Sequence, residues 1–302
     1  MGSFMRRPGT MAGVVLAWAA LTLAVPAAAA QATAALPGVI NVPCNANALK
    51  LAVIAANGGG AAVLALSANC TYSIVTPASA SDGLPSITGH FALVGGGNTT
   101  IRRSSAALSS FRVLEVTSGA SLRVSNLSIR FGKTAGLGGG ILNGGTLTIR
   151  NVTFSNNSAG NGGGLSNSAG ATATLSNATM AENTTTGVGG GGIINFGTLT
   201  LAESSLASNR VPINGGGLNT QPGGITHITQ SQIVNNVSGG LGGGLSNLGT
   251  TTISGSSVRF NKGSGGGGIA TGNTNVTLTR STVTSNNPDN CNPLNTIAGC
   301  VN

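Results

Sequence analysis

Five carboxylates (Asp82, Glu115, Glu182, Glu203, Asp289) and two imidazoles (His90, His227) carry most of the acid–base chemistry this sequence offers. Cleaving a polysaccharide would need two of the acids in one groove, as a hydrolytic pair or as calcium ligands, often beside an Arg or Lys. Their spacing argues against such a groove. Glu203 falls on a turn position held elsewhere by Asn151, Asn177, Gln230, Gly255 and Arg280, whereas Glu182 falls on one held by Asn156, Ser208 and Asn235. Those are two different columns of one repeat, so each acid reads as a solvated turn residue. Glu115, inside Arg112-Val113-Leu114-Glu115-Val116, reads as ion-paired to an Arg on a neighbouring strand; Asp289 lies in the C-terminal loop. A serine triad would need His90 or His227 as base, and neither has a Gly-x-Ser-x-Gly elbow. No glycine block is followed by the Asp of a calcium-binding roll, and six glycine blocks do not read as one phosphate loop. No catalytic residue, metal or cofactor is expected.

Basic residues are more concentrated. Arg102, Arg103, Arg112, Arg123, Arg130 and Lys133 fall within 32 residues. The chain has a formal charge of +9, and 14 Lys and Arg against only five acids leave a basic surface that attracts acidic polymers. These six residues are the candidate ligand set, for an anionic polysaccharide or cell-wall polymer. Nucleic acid is not expected, because it suits a secreted location poorly.

The elements that position these residues begin with a leader. Arg6 and Arg7 precede the apolar run Met11–Val25, and Ala27–Ala30 supplies a small-residue cleavage site, so residues 1–30 read as a secretory signal peptide. Cleavage leaves no stable membrane span and lowers the formal charge to about +7. Four cysteines in a secreted chain imply two disulfides. Three pairings exist; Cys44–Cys70 with Cys291–Cys300 is expected, since each closes a short loop at one end. Residues 31–60 form an N-terminal cap, in which Asn45–Asn57 reads as an apolar helix with a glycine stop. Strand-like runs follow at Ala61–Leu66, Tyr72–Val75, Phe91–Val94, Phe111–Val116 and Ser121–Ile129.

From Gly138 onward six copies of one unit align. Each begins with a glycine run followed by Ile or Leu: Ile141, Leu165, Ile193, Leu218, Leu245, Ile269. Asn143, Asn167, Asn195 and Asn247 come two residues later, with Thr220 and Thr271 in the other copies. A period-two strand places Ile149, Leu175, Leu201, Ile228, Ile253 and Leu278 inward. Thr148, Thr174, Thr200, His227, Thr252 and Thr277 then point outward. The unit closes with an apolar residue and an Asn three later: Phe154/Asn157, Met180/Asn183, Leu206/Asn209, Ile233/Asn236, Val258/Asn261, Val283/Asn286. Strand-only units repeating every 25 to 27 residues predict an all-β, right-handed parallel β-helix over residues 61–287, closed by a Cys-bounded cap loop at 288–302. Stacked in register, Asn157, Asn183, Asn209, Asn236, Asn261 and Asn286 are expected to form an amide ladder, and the glycines to serve tight bends and close backbone approach.

The glycine blocks, such as Gly242-Gly243-Gly244-Leu245, and Phe154-Ser155-Asn156-Asn157 resemble the GGA[ILV] and FxxN repeats of polymorphic outer-membrane proteins and their bacterial β-helix relatives, over about Leu122–Asn286. The helix-then-strand opening is similar to the start of pectate-lyase-like β-helices. The resemblance implies a pectin-lyase-like fold and an adhesin-type role. No C-terminal autotransporter barrel is expected after Asn286. The expected function is a monomeric, secreted or surface-associated, non-catalytic protein that binds glycan or another surface. A polysaccharide lyase or glycoside hydrolase is the alternative. Ice binding by the outward threonines comes third, weakened by Arg123, Arg150 and His227 on that face.

Overall fold

The computed structural model describes residues 1–2, 38–59, 62–293 and 296–301. The predicted signal peptide, from residue 3 onward, lies outside the described residues. Nearly half the chain is strand, all paired in parallel, in a β-solenoid of about 10 turns. One turn shows the rule. Ile141–Asn143 leads through a short turn into Thr146–Ser155, then Ser158–Ala159, and a glycine run returns the chain to the next copy, Leu165–Asn167. Each residue pairs with its counterpart one repeat on: Thr148 with Thr174, then Thr200, His227, Thr252 and Thr277. A period of 25 to 27 residues therefore becomes a lateral step of about 4.8 Å.

Inward residues stack on their own kind. Ile149, Leu175, Leu201, Ile228 and Ile253 are each at most 1 % exposed, and Leu278 packs half-buried against the end of the same column. The glycines do part of what was expected of them. Gly138 bends the chain at φ +65°, and a Cβ on Gly140 would sit 2.5 Å from the carbonyl oxygen of Gly164. The other two corners use mainly larger residues in the left-handed region. Asn151, Asn177, Glu203, Gln230 and Arg280 turn one corner at φ +47° to +53°; Phe131, Asn156, Glu182, Ser208, Asn235, Phe260 and Ser285 turn the next at +55° to +59°. Asn tolerates this region well and a bulky ring poorly, so Phe131 and Phe260 stand out.

The asparagine column is continuous. Asn157 Nδ2 donates to Asn183 Oδ1 at 3.0 Å, and the same bond repeats through Asn209, Asn236, Asn261 and Asn286 at 2.9 to 3.0 Å. Each Nδ2 also donates to a carbonyl of the preceding turn, as Asn209 does to Met180 O, and each Oδ1 accepts a backbone N–H, so the buried amides are fully paired. A second ladder runs through Asn143, Asn167 and Asn195 at 2.7 and 2.8 Å. It breaks where Thr220 replaces Asn, and there the inward core positions turn polar. Thr226 and Thr251, fully buried where other copies have Leu147 or Leu199, bond to Asn195, Thr220 and Asn247.

Both ends are closed. A helix, α1 (Ala46–Gly58), begins at Asn45, whose side chain accepts from the Asn47 and Ala48 amides, and buries Leu49, Ala52, Val53 and Ala56. The first strand of the stack, Gly38–Val42, precedes this helix and pairs with Ala62–Leu66, so the solenoid starts earlier than residue 61. At the other end Cys291–Asn292 pairs with Ile269 and Ala270, which extends the stack into the expected cap loop. Disulfides Cys44–Cys70 and Cys291–Cys300 both form.

Candidate functional site: a basic cleft

Four of the six candidate basic residues converge. Register places Arg102 beside Arg130 on adjacent strands. An open cleft of about 310 Å³ is lined by Arg102, Arg103, Phe131 and Lys133, with Asn156 and Ser158 from the next turn. The Arg102 and Arg130 guanidinium carbons lie 4.8 and 5.0 Å from the Phe131 ring centroid. Arg103 is held by the carbonyls of Ala107 and Ser109 and lies 5.5 Å from the Phe111 centroid. A ring beneath a guanidinium attracts it through the π-quadrupole and orients its planar N–H edges, which fit a carboxylate or sulfate. Among the described residues, none of these four cations ion-pairs with an acid.

The other two candidates lie elsewhere. Arg112 is buried: its Nη1 is 2.7 Å from Asp82 Oδ1, and its Nε donates to Leu137 O. It is therefore unavailable to a surface ligand. Arg123 is exposed on the outward threonine face, paired with Thr148. That face continues through Thr174, Thr200 and His227, whose Nδ1 is 2.8 Å from Thr252 Oγ1.

The acids are scattered. Glu115 pairs with Arg112 three residues before it, at 3.6 Å, rather than with an Arg on another strand. The expectation missed this because Asp82, brought alongside by the coil, had already fixed the guanidinium at that spot. Asp82 and Arg112 are both buried, so this trio presents no groove to a polymer. Glu182 and Glu203 stand at different corners: Glu182 is exposed and accepts from Asn156 Nδ2, and Glu203 lines a shallow polar cleft with Asn177, Gln230 and Gln232. Among the described residues no three His, Cys, Asp or Glu side chains gather as metal ligands, and no helix is long and apolar enough to cross a membrane. One cation is shifted. Lys50 of α1 donates to Thr76 O, and partial burial holds its ammonium below the usual lysine value.

Phe131 is the site residue that spacing alone does not reveal. It occupies a corner column otherwise mostly Asn or Ser, and the signal for it is the tetrad Arg130-Phe131-Gly132-Lys133, a ring flanked by cations in an aromatic-poor chain. No protein-family model, curated protein or solved structure matches the chain.

Proposed function

We propose that this is a secreted or cell-surface, non-catalytic β-solenoid that binds an anionic polysaccharide or wall polymer through the basic cleft. The observation that carries this reading is an open groove lined by Arg102, Arg103 and Lys133, without an acid partner among the described residues, in which the Arg102 guanidinium lies over the lining ring of Phe131. Arginines arranged to pair with protein acids would be neutralised; Arg102 and Arg103 spend N–H groups only on backbone carbonyls, so their charge stays available to an external anion. Two disulfides fit an oxidising, extracellular setting. Adhesive repeats and a pectin-lyase-like scaffold remain the family context that the motifs suggest.

The test is binding and turnover of the mature protein on pectic, other uronate and teichoic polymers. We expect salt-sensitive binding without product, weakened at least about tenfold by Arg102→Glu or Phe131→Ser. New reducing ends or unsaturated products, abolished by Glu115→Gln, Glu182→Gln or Glu203→Gln, would replace this reading with the lyase or hydrolase one.

A further inference from the structure

The Arg-Phe-x-Lys tetrad occurs twice. Arg130-Phe131-Gly132-Lys133 has a second copy in Arg259-Phe260-Asn261-Lys262. The coil places the copies on one line. Stepping one strand at a time, Arg130 pairs with Ser155, Ala181, Ala207, Val234 and then Arg259. Lys133 steps likewise through Ser158, Thr184, Arg210 and Val237 to Lys262. Phe131 and Phe260 turn the same corner with the same backbone, at φ +59° and +57°. The second ring also lies under a cation, with the Arg259 guanidinium 5.5 Å from its centroid and Arg259 Nη2 donating to Gln232 Oε1. Phe260 is 53 % exposed. A large ring in a strained corner conformation, left open to solvent, is costly for the fold, and the other copies use Asn, Ser or Glu there.

We infer that the two tetrads form one two-point site for a single extended uronate chain running along the solenoid axis, an inference that rests on the proposed glycan-binding reading. Five strand steps separate the platforms by about 24 Å. Because every step returns to the same column, both platforms face the same way, as a linear polymer requires. Between them the corner offers Asn156, Ser208 and Asn235, with exposed Arg210 in the lysine column. One residue opposes the arrangement: Glu182 sits on this corner between the platforms and puts a like charge under the chain.

The experiment compares trimeric and decameric mannuronate oligomers on the full disulfide-bonded chain, by calorimetry. A trimer reaches one platform and a decamer reaches both, so the decamer should bind at least about tenfold tighter by effective concentration. The variant Arg259→Thr/Phe260→Ser/Lys262→Ser places at each position a residue its own column already holds, in Thr284, Ser285 and Ser158. It should keep trimer affinity and lose the decamer's advantage. Glu182→Gln, which keeps an acceptor for the Asn156 amide, should tighten decamer binding several-fold. A decamer advantage that survives the triple variant, or none in the native chain while Phe131→Ser still weakens the trimer, overturns the two-point site and leaves the cleft standing. No binding of either oligomer by the native chain overturns the two-point uronate site; the cleft reading falls only if the pectic, other uronate and teichoic polymers also fail to bind.

Discussion

Arg112 Nη1 sits 2.7 Å from Asp82 Oδ1, with both side chains buried, so each charge depends on the other for what water would otherwise supply. Removing one partner strands the second. Arg112→Met should therefore lower the unfolding free energy in urea by about 3–5 kcal/mol. Adding Asp82→Asn removes the stranded charge while keeping an oxygen for the Ser79 hydroxyl, and should restore more than half of that loss. The folded Arg112→Met protein should bind polysaccharide as the native chain does, since Arg112 lines no part of the cleft. A large fall in affinity at unchanged fold content would return Arg112 to the ligand set. Six cations within 32 residues thus split by environment: one is neutralised in the core, one stands on the threonine face, and four meet at a corner.

The strands and ladders obey a rule that single residues do not show. Where Thr220 interrupts the asparagine ladder, it cannot reach as far as an amide, and Thr226 and Thr251 replace core aliphatics to complete the bonds. The three positions should therefore be coupled. Thr226→Leu alone leaves the Asn195 amide and the Thr220 hydroxyl short of partners and should cost about 1–3 kcal/mol. In a Thr220→Asn background the new amide can accept from Asn195 as Asn195 does from Asn167, and the cost of Thr226→Leu should shrink. A double-mutant cycle by thermal unfolding measures this, and strict additivity would refute the coupling. The repeat, the inward column and the six-asparagine ladder were readable from sequence because a solenoid turns a fixed period into a fixed column. The compensation at Thr226 was not, because it links residues of different columns. The Arg112–Asp82 pair was hidden for a different reason: the two share a column, but they lie 30 residues apart in the irregular N-terminal turns, where no regular period marks that column. The strand Gly38–Val42 was missed because only Val42 of its five residues is buried, which leaves no alternation to detect.

At the scale of the whole molecule, each turn contacts mainly the turns before and after it, so stability is close to a sum of turn and interface terms. That makes the length of the stack adjustable in register. Deleting residues 183–208 joins Glu182 to Asn209, and Asn209 occupies the column of the lost Asn183. Both ladders then close across the junction: Asn157 meets Asn209 as it met Asn183, and Asn167 meets Thr220 with Thr226 beside it as Asn195 did. The shortened chain should fold with native-like β content, unfold in a single transition somewhat below that of the parent, and keep both end disulfides. Deleting 183–196 instead leaves the next residues half a turn out of phase, puts polar side chains into the inward columns and should prevent folding. Circular dichroism and thermal unfolding of the two deletions separate the cases. The in-register deletion also brings the Phe131 and Phe260 corners closer by one step, about 4.8 Å, without rotating one against the other. Its decamer should still span both platforms, because a flexible polymer tolerates a shorter span far better than a misaligned one. Retained length-dependent binding in this variant would tie recognition to the shared corner of the solenoid rather than to one fixed distance along it.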